Sequence, residues 1–197
     1  MSSTDDRILQ AALKVFEEAG FQGATTRRIA EEAGVNEVTL FRRFGSKDQL
    51  LHAALTRGVN LEAMTPLPTE PLDPERELEV WIREHIDALS AMRALIRKSF
   101  GEFEAHPHLC AQTRTGPYKV ADELSAWLLR LRECGMAPGD WDPHAATALL
   151  MGVIFADAMH RDLMPDLYPH DRAQAPAEYA RLFLRAINAA PADRRTP

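Results

Sequence analysis

The sequence predicts an all-α protein: an N-terminal three-helix unit containing a helix-turn-helix (residues 1–47), a linking helix (48–64) and a C-terminal helical domain (65–197). Three observations carry this. Apolar residues recur at intervals of three and four along most of the chain, with no strand-like alternation of any length. Thr25 to Lys47 reads as two short helices joined by a tight turn and followed at once by a third. The stretch from Thr65 to Pro74 holds Pro66, Pro68, Pro71 and Pro74, cannot be helical, and marks a linker.

In the hairpin, Thr25 or Thr26 offers a hydroxyl to cap a helix whose inward residues are Ile29, Ala30 and Ala33. Gly34 supplies the left-handed conformation that ends it, Val35 is an apolar plug, and Asn36 caps the next helix. Leu40 and Phe44 lie four apart and point inward, which leaves Glu37, Val38, Thr39, Phe41 and Arg42 facing out. Asn and Thr side chains can hydrogen-bond base edges, Val and Thr methyls can touch thymine, and Arg27, Arg28, Arg42, Arg43 and Lys47 can engage phosphates. Helical hairpins with a glycine turn also occur in bundles that never meet nucleic acid, so the flanking sequence has to decide.

That flank resembles the TetR family of bacterial transcription regulators over about the first sixty residues. Ile8-Leu9-Gln10-Ala11-Ala12-Leu13-Lys14-Val15-Phe16 with Gly20-Phe21 is similar to the family's first helix, Ile29 to Val35 to its second helix and turn, and Thr39 to Leu51 to its recognition helix running into helix four. The resemblance implies a homodimeric regulator of double-stranded DNA, with a C-terminal domain for dimerisation and for an unidentified small-molecule effector, and repression as the usual sign. The contact set is then Thr25, Thr26, Arg27, Arg28, Asn36, Glu37, Val38, Thr39, Phe41, Arg42, Arg43 and Lys47. Two positions depart from the family pattern: Val38 replaces a glycine, and Phe41 replaces a tyrosine and so loses a phenolic hydroxyl.

Composition is compatible with this. The net charge of -6 argues against DNA binding only if spread evenly. Between Thr25 and Lys47 five cations face Glu31, Glu32 and Glu37, and a phosphate backbone responds to the local patch. No apolar run reaches the eighteen or so residues of a membrane span, and the acidic N-terminus lacks the regions of a signal peptide, so the expected setting is cytoplasmic, with no membrane. Cys110 and Cys134 are too few for a zinc module and are expected to be buried small apolar residues.

In chain order, helix one should start near Thr4, bury Ile8, Ala12, Val15 and Phe16, and stop at Gly20. Ser46 and Gln49 have capping-box spacing for helix four, which should run to about Met64. Asp73-Pro74 opens helix five, Ser90 caps helix six, Gly116-Pro117 opens helix seven, Asp142-Pro143 helix eight and Pro176 helix nine. Helix eight is apolar nearly all round from Ala145 to Ala158 and must be covered on more than one face. A second copy packing on helices eight and nine, through Leu149, Gly152, Val153, Tyr179, Phe183 and Ile187, would do so. Packing inside one subunit is the alternative.

Trp81, His85, Phe100, Phe103, Trp127, Met151 and Phe155 are candidate pocket residues, each of which could equally be ordinary core. His106, His108, Asp157 and His160 have spacing compatible with a metal, but that spacing is common by chance and the expectation is no metal and no cofactor. An enzyme is the rival class. The chain has no phosphate-binding glycine loop, no His-Glu-x-x-His pair and no nucleophile elbow. A helical adaptor that binds only protein is the second rival, and the basic hairpin face counts against it.

Overall fold

The computed structural model describes residues 4–58, 64–105 and 115–188, apart from the side chains of 56, 58, 102–105 and 115. These residues form α1 (Thr4–Gly23), α2 (Thr26–Ala33), α3 (Glu37–Phe44), α4 (Lys47–Gly58), α5 (Pro74–Ala91), α6 (Arg93–Ala105), α7 (Thr115–Glu133), α8 (Pro143–His160) and α9 (Ala175–Ala186), with a short 3-10 turn at Pro165–Leu167. No strand occurs among them. They divide into two compact units, α1 to α4 with α6, and α5 with α7 to α9. The division differs from the linear one read from the sequence, because α6 belongs to the first unit, where Leu95 joins the core and the Lys98 ammonium donates to the Glu17 carbonyl.

The first unit is held by one small core. Ile8, Ala12, Val15 and Phe16 of α1 meet Ile29 and Ala30 of α2, Leu40 of α3 and Leu50, Leu51 and Ala54 of α4. Full burial of each larger side chain contributes about 1.5–3 kcal/mol. Gly20 does take a positive φ of 69°, but the helix kinks there and adds a turn to Gly23, with the Ala24 N–H closing onto the Gly20 carbonyl at 3.0 Å. Phe21 is thereby carried into the core. Only half of the expected capping box forms at α4: Ser46 Oγ accepts from the Gln49 N–H at 3.1 Å, while the Ser46 N–H donates to the Phe44 carbonyl and has no need of the Gln49 side chain. Residues 59–63 of the expected linking helix lie outside the described residues.

In the second unit the proline-rich segment is docked. Thr65 donates through N–H and hydroxyl to Glu84 at 2.6 and 2.8 Å, and the Leu67 N–H donates to Glu123 at 2.8 Å while its side chain is buried. Asp73 caps α5 by accepting from the Arg76 N–H at 3.2 Å. The helix then runs through Ser90 to Ala91, so Ser90 lies inside α5 and does not cap α6. Leu78, Trp81, Ile82 and Ile86 pack with Leu124, Trp127, Leu128, Leu131, Leu150, Ile154, Ala180, Leu184 and Ile187. Ile187, expected at a subunit interface, is thus part of its own core. Cys134 also departs from expectation: it follows the last residue of α7 and is exposed. Cys110 lies outside the described residues.

Among the described residues one ion pair has a buried carboxylate. Asp157 on α8 is 1% exposed; it accepts from Arg161 Nε at 2.8 Å and from a second guanidinium nitrogen, and Tyr179 of α9 donates to it at 2.6 Å. Arg161 goes on to the carbonyls of Tyr168 and His170, at 3.3 and 2.5 Å, and so ties the loop after α8 to both helices. Burial, and then hydrogen bonding to Asp157, push the Tyr179 hydroxyl pKa well above its ordinary value. Arg161→Ala would leave the carboxylate buried without its counter-ion, and should lower the unfolding free energy by about 3–5 kcal/mol, read from denaturant midpoints. A loss below about 1 kcal/mol would show that the carboxylate finds water instead.

Candidate functional site

The two ends that meet at the hairpin turn are satisfied locally. Thr25 Oγ1 accepts from the Arg28 N–H at 3.2 Å and caps α2. Gly34 sits at φ 64°, ψ 39°, the left-handed cap that lets the Val35 N–H return to the Ala30 carbonyl at 3.0 Å. Asn36 Oδ1 accepts from the Val38 N–H at 2.8 Å and starts α3 two residues later. The same cap constrains its expected role, since one lone pair of that oxygen is committed and the side chain is held by it, with the amide N–H₂ left free for a base edge.

Leu40 is fully buried and Phe44 packs against the core, so the opposite face of α3 is turned outward. Val38 is 72% exposed and Phe41 46% exposed. Thr39 is half-buried beside them, and Glu37 receives the Thr26 hydroxyl at 2.5 Å from α2. Two exposed apolar side chains on so short a helix are what a groove carrying thymine methyls and sugar would meet.

The cations divide into two kinds. Arg27 pairs with Glu31 at 3.0 Å, Arg28 with Glu18 at 2.7 Å and Arg43 with Asp5 at 2.5 Å, all at exposed positions. Arg42 is exposed and forms no ion pair with any described residue. Lys47 does something else: its ammonium donates to the Phe21 carbonyl and lies 4.1 Å from the Phe21 ring centroid, so it joins the start of α4 to the end of α1. Sequence reasoning treated it as a phosphate contact, because a lysine after a cap usually faces solvent.

The candidate pocket residues do not come together as one set. Trp81 and Trp127 are fully buried core of the second unit, and Met151 and Phe155 are half-buried on α8. Phe100 is exposed and belongs to the first unit, and the Phe103 side chain lies outside the described residues. His85 is buried, its ring 4.0 Å from that of Trp81, and its Nδ1–H donates to the Trp81 carbonyl at 2.7 Å. Burial pushes its pKa below the ordinary value, against a smaller opposing effect of that hydrogen bond. The indole N–H groups of Trp81 and Trp127 and the Thr147 hydroxyl are buried without a hydrogen-bond partner among the described residues. Of the metal candidates, His106 and His108 lie outside the described residues, and Asp157 is committed to Arg161 and Tyr179. No group of three potential ligands occurs among the described residues, and no described helix is long and apolar enough to cross a membrane.

A capped hairpin, a short helix with an outward face of polar and apolar side chains, and arginines around it are the parts of a helix-turn-helix DNA-binding protein. Residues 8–54 match the model of the bacterial regulatory proteins of the tetR family. The chain is 28% identical over 162 residues to the uncharacterised HTH-type transcriptional regulator YvkB of Bacillus subtilis, covering 82% of this chain and 84% of that one. It is 24% identical over 151 residues to the HTH-type transcriptional repressor DrrR1 of Streptomyces coeruleorubidus, covering 75% of this chain and 49% of the repressor, about half that protein's length. The fold is similar to that of the transcriptional regulator FadR from Bacillus subtilis in complex with stearoyl-CoA, with TM-score 0.69 and 18% identity over 90% of this chain and 96% of that one. Its DNA-binding region matches the TetR family, and the protein is a helix-turn-helix transcriptional regulator.

Arg42→Ala should lower the slope of log affinity against log salt by about 0.9 if the arginine neutralises one phosphate. Lys47→Ala should instead lower the melting temperature and leave that slope nearly unchanged. An unaltered slope for Arg42→Ala, in filter binding over a salt series, refutes the phosphate assignment. His85 gives a pH dependence of opposite origin. Its folded pKa is lowered, so as pH falls through about 6.5 the unfolded chain takes up the proton first and stability declines; above that pH the native state is not penalised. His85→Gln should flatten the stability profile below pH about 6.5, measured by denaturant titration at several pH values.

Proposed function

We propose that the protein is a ligand-responsive repressor that binds a near-palindromic operator as a homodimer and acts in the cytoplasm. The carrying observation is the outward face of α3, where Val38 and Phe41 stand exposed beside Thr39 and Arg42 on a helix capped at both ends. The DNA contacts assigned are Thr25, Thr26, Arg27, Arg28, Asn36, Glu37, Val38, Thr39, Phe41, Arg42 and Arg43. Lys47 is left as a strut. Phe41 acts by packing on the sugar-phosphate backbone, since it has no hydroxyl to offer a phosphate.

A single helix-turn-helix reads only a few base pairs, so a specific regulator needs two, held about one turn of DNA or a multiple of it apart. The apolar face that α8 leaves outside its own core supports the dimer. Ala145, Ala148, Leu149, Gly152 and Val153 are all exposed, and a Cβ added at Gly152 would meet nothing within 4 Å, so a partner helix could approach the backbone closely. On α9, Leu182 is exposed and Tyr179 and Phe183 are half-buried. The second copy would close these faces into a four-helix bundle about a two-fold axis.

The effector site is assigned to the core of the second unit near Trp81 and His85. The unpartnered indole N–H groups and the neutral imidazole favour an uncharged or largely apolar molecule with a few acceptor oxygens. The stearoyl chain of the stearoyl-CoA in the FadR structure, though not its charged CoA part, is in keeping with such a site. Binding would alter the separation of the two reading heads through α4.

A gel shift with the DNA upstream of the protein's own coding sequence separates a regulator from an enzyme or a protein adaptor. Light scattering at micromolar concentration should give about twice the chain's 22.0 kDa. Leu149→Glu is the informative variant, because Leu149 is 69% exposed and a charge there should halve the mass while leaving the melting of each subunit's core intact. A variant that stays dimeric, or a parent that binds its operator tightly as a monomer, defeats the α8–α9 interface.

A further inference from the structure

We propose that Glu37 reads an exocyclic amine of a nucleobase in the major groove, with cytosine preferred, and that Thr26 positions its carboxylate for this task. The inference rests on the DNA-binding reading above and adds the chemistry of one contact to it.

The contrast among the acidic side chains of the first unit carries the argument. Glu18, Glu31, Glu32 and Asp5 each pair with a cation, respectively Arg28, Arg27, Lys14 and Arg43. Glu37, like Glu17 of α1, forms no ion pair with any described residue, but Glu37 alone of these two lies on the outward-facing helix, which it begins. An unneutralised carboxylate on a surface that meets phosphates is unfavourable unless it finds a donor there. Among the described residues its one side-chain hydrogen bond comes from the Thr26 hydroxyl, donated to Oε1 at 2.5 Å across the turn between α2 and α3. That bond ties down a rotamer that an exposed glutamate would otherwise leave loose, and it leaves Oε2 and the remaining lone pairs unassigned.

An ionised carboxylate only accepts. In the major groove guanine presents N7 and O6 and thymine O4, all acceptors, and each would repel it. Cytosine presents N4–H₂ at that edge and adenine N6–H₂, but adenine sets the acceptor N7 beside its amine, which favours cytosine. Neighbouring Val38, which is 72% exposed, would meet the adjacent step and help exclude water from the contact. Glu37 thereby gains affinity for one base and is repelled by others, so it serves specificity more than strength. If the Thr26–Glu37 bond were only a strut between two helices, the charge of Glu37 would be irrelevant to sequence choice.

The test is selection of bound sites from a random DNA pool with the full chain, for the parent, Glu37→Gln and Thr26→Val, with melting temperatures alongside. Glu37→Gln retains an acceptor for the Thr26 hydroxyl and changes only the reading group. The parent should enrich cytosine at one position of each half-site, or adenine if the amine is that of adenine. In Glu37→Gln that position alone should change, cytosine losing about tenfold in preference and adenine gaining, because a carboxamide both accepts and donates. Thr26→Val should weaken the preference at the same position without replacing it. A parent motif reproduced unchanged by Glu37→Gln overturns the proposal and leaves the DNA-binding reading standing. Unchanged selection with a lowered melting temperature for Thr26→Val assigns the pair to structure alone and likewise overturns it. A parent that enriches no motif at all overturns both.

Discussion

The first unit depends on a turn of three residues. Between Ala33 and Glu37 the chain must end one helix and start another while leaving no orphaned N–H or carbonyl, and Gly34, Val35 and Asn36 do this with one left-handed glycine and one side-chain cap. Once those ends are satisfied, the directions of α2 and α3 are set, and Ile29, Ala30 and Leu40 fall on the same small core. Val38 stands outward because it lies about 200° around the helix from the buried Leu40, while Thr39 and Phe41, about 100° to either side, border the face, the one half-buried and the other exposed. The reading face is thus a consequence of packing behind it.

Charge is arranged on a second principle. The chain is acidic overall, and the acids of α1 and α2 are placed against the arginines of the hairpin at 2.5 to 3.0 Å. Such exposed pairs contribute little to stability, with a typical worth of about 0–1 kcal/mol. They would matter more to the proposed binding, since an arginine already facing a carboxylate would have to exchange that partner for a phosphate, with a smaller net gain per contact than a free cation gives. Under the proposed contacts, this arrangement would hold non-specific affinity down and give a larger share of discrimination to the residues that touch bases.

Much of this was legible in the sequence because it is local. Caps, glycine turns and three-four periodicity act within a few residues, and Thr25, Gly34, Asn36, Asp73 and Asp142 all do what their side-chain chemistry predicts. What escaped was decided at a distance. Lys47 turns back because Phe21, delivered by the extra turn after Gly20, offers a carbonyl and a ring face. Ile187 lies in the core and Cys134 outside it because the ends of α9 and α7 fall where they do, which periodicity fixes only to within a residue or two. The allotment of α6 to the first unit could not be read from its own amphipathic pattern, which states that a face is buried but not against what. Asp157 and Arg161 had a local signature, the i,i+4 spacing of opposite charges, though nothing in it announced that the pair would be buried.

The two faces of α8 differ in what covers them. Ala146, Leu150, Ile154 and Ala158 enter the subunit's core, while Ala145, Ala148, Leu149, Gly152 and Val153 remain outside it. The sequence predicts cover on more than one side of the helix, and the described residues supply one of them. The exposed side is rich in small residues, which by itself indicates close approach more than strong attraction. The larger side chains that would make approach favourable are Leu149 and Val153, one helical turn apart. Near the end of the same helix the buried Asp157 is locked by Arg161 and Tyr179, which fixes α9 against α8 before any partner arrives. A partner would then meet a surface already ordered, and association would proceed without the entropic penalty of arranging two loose helices.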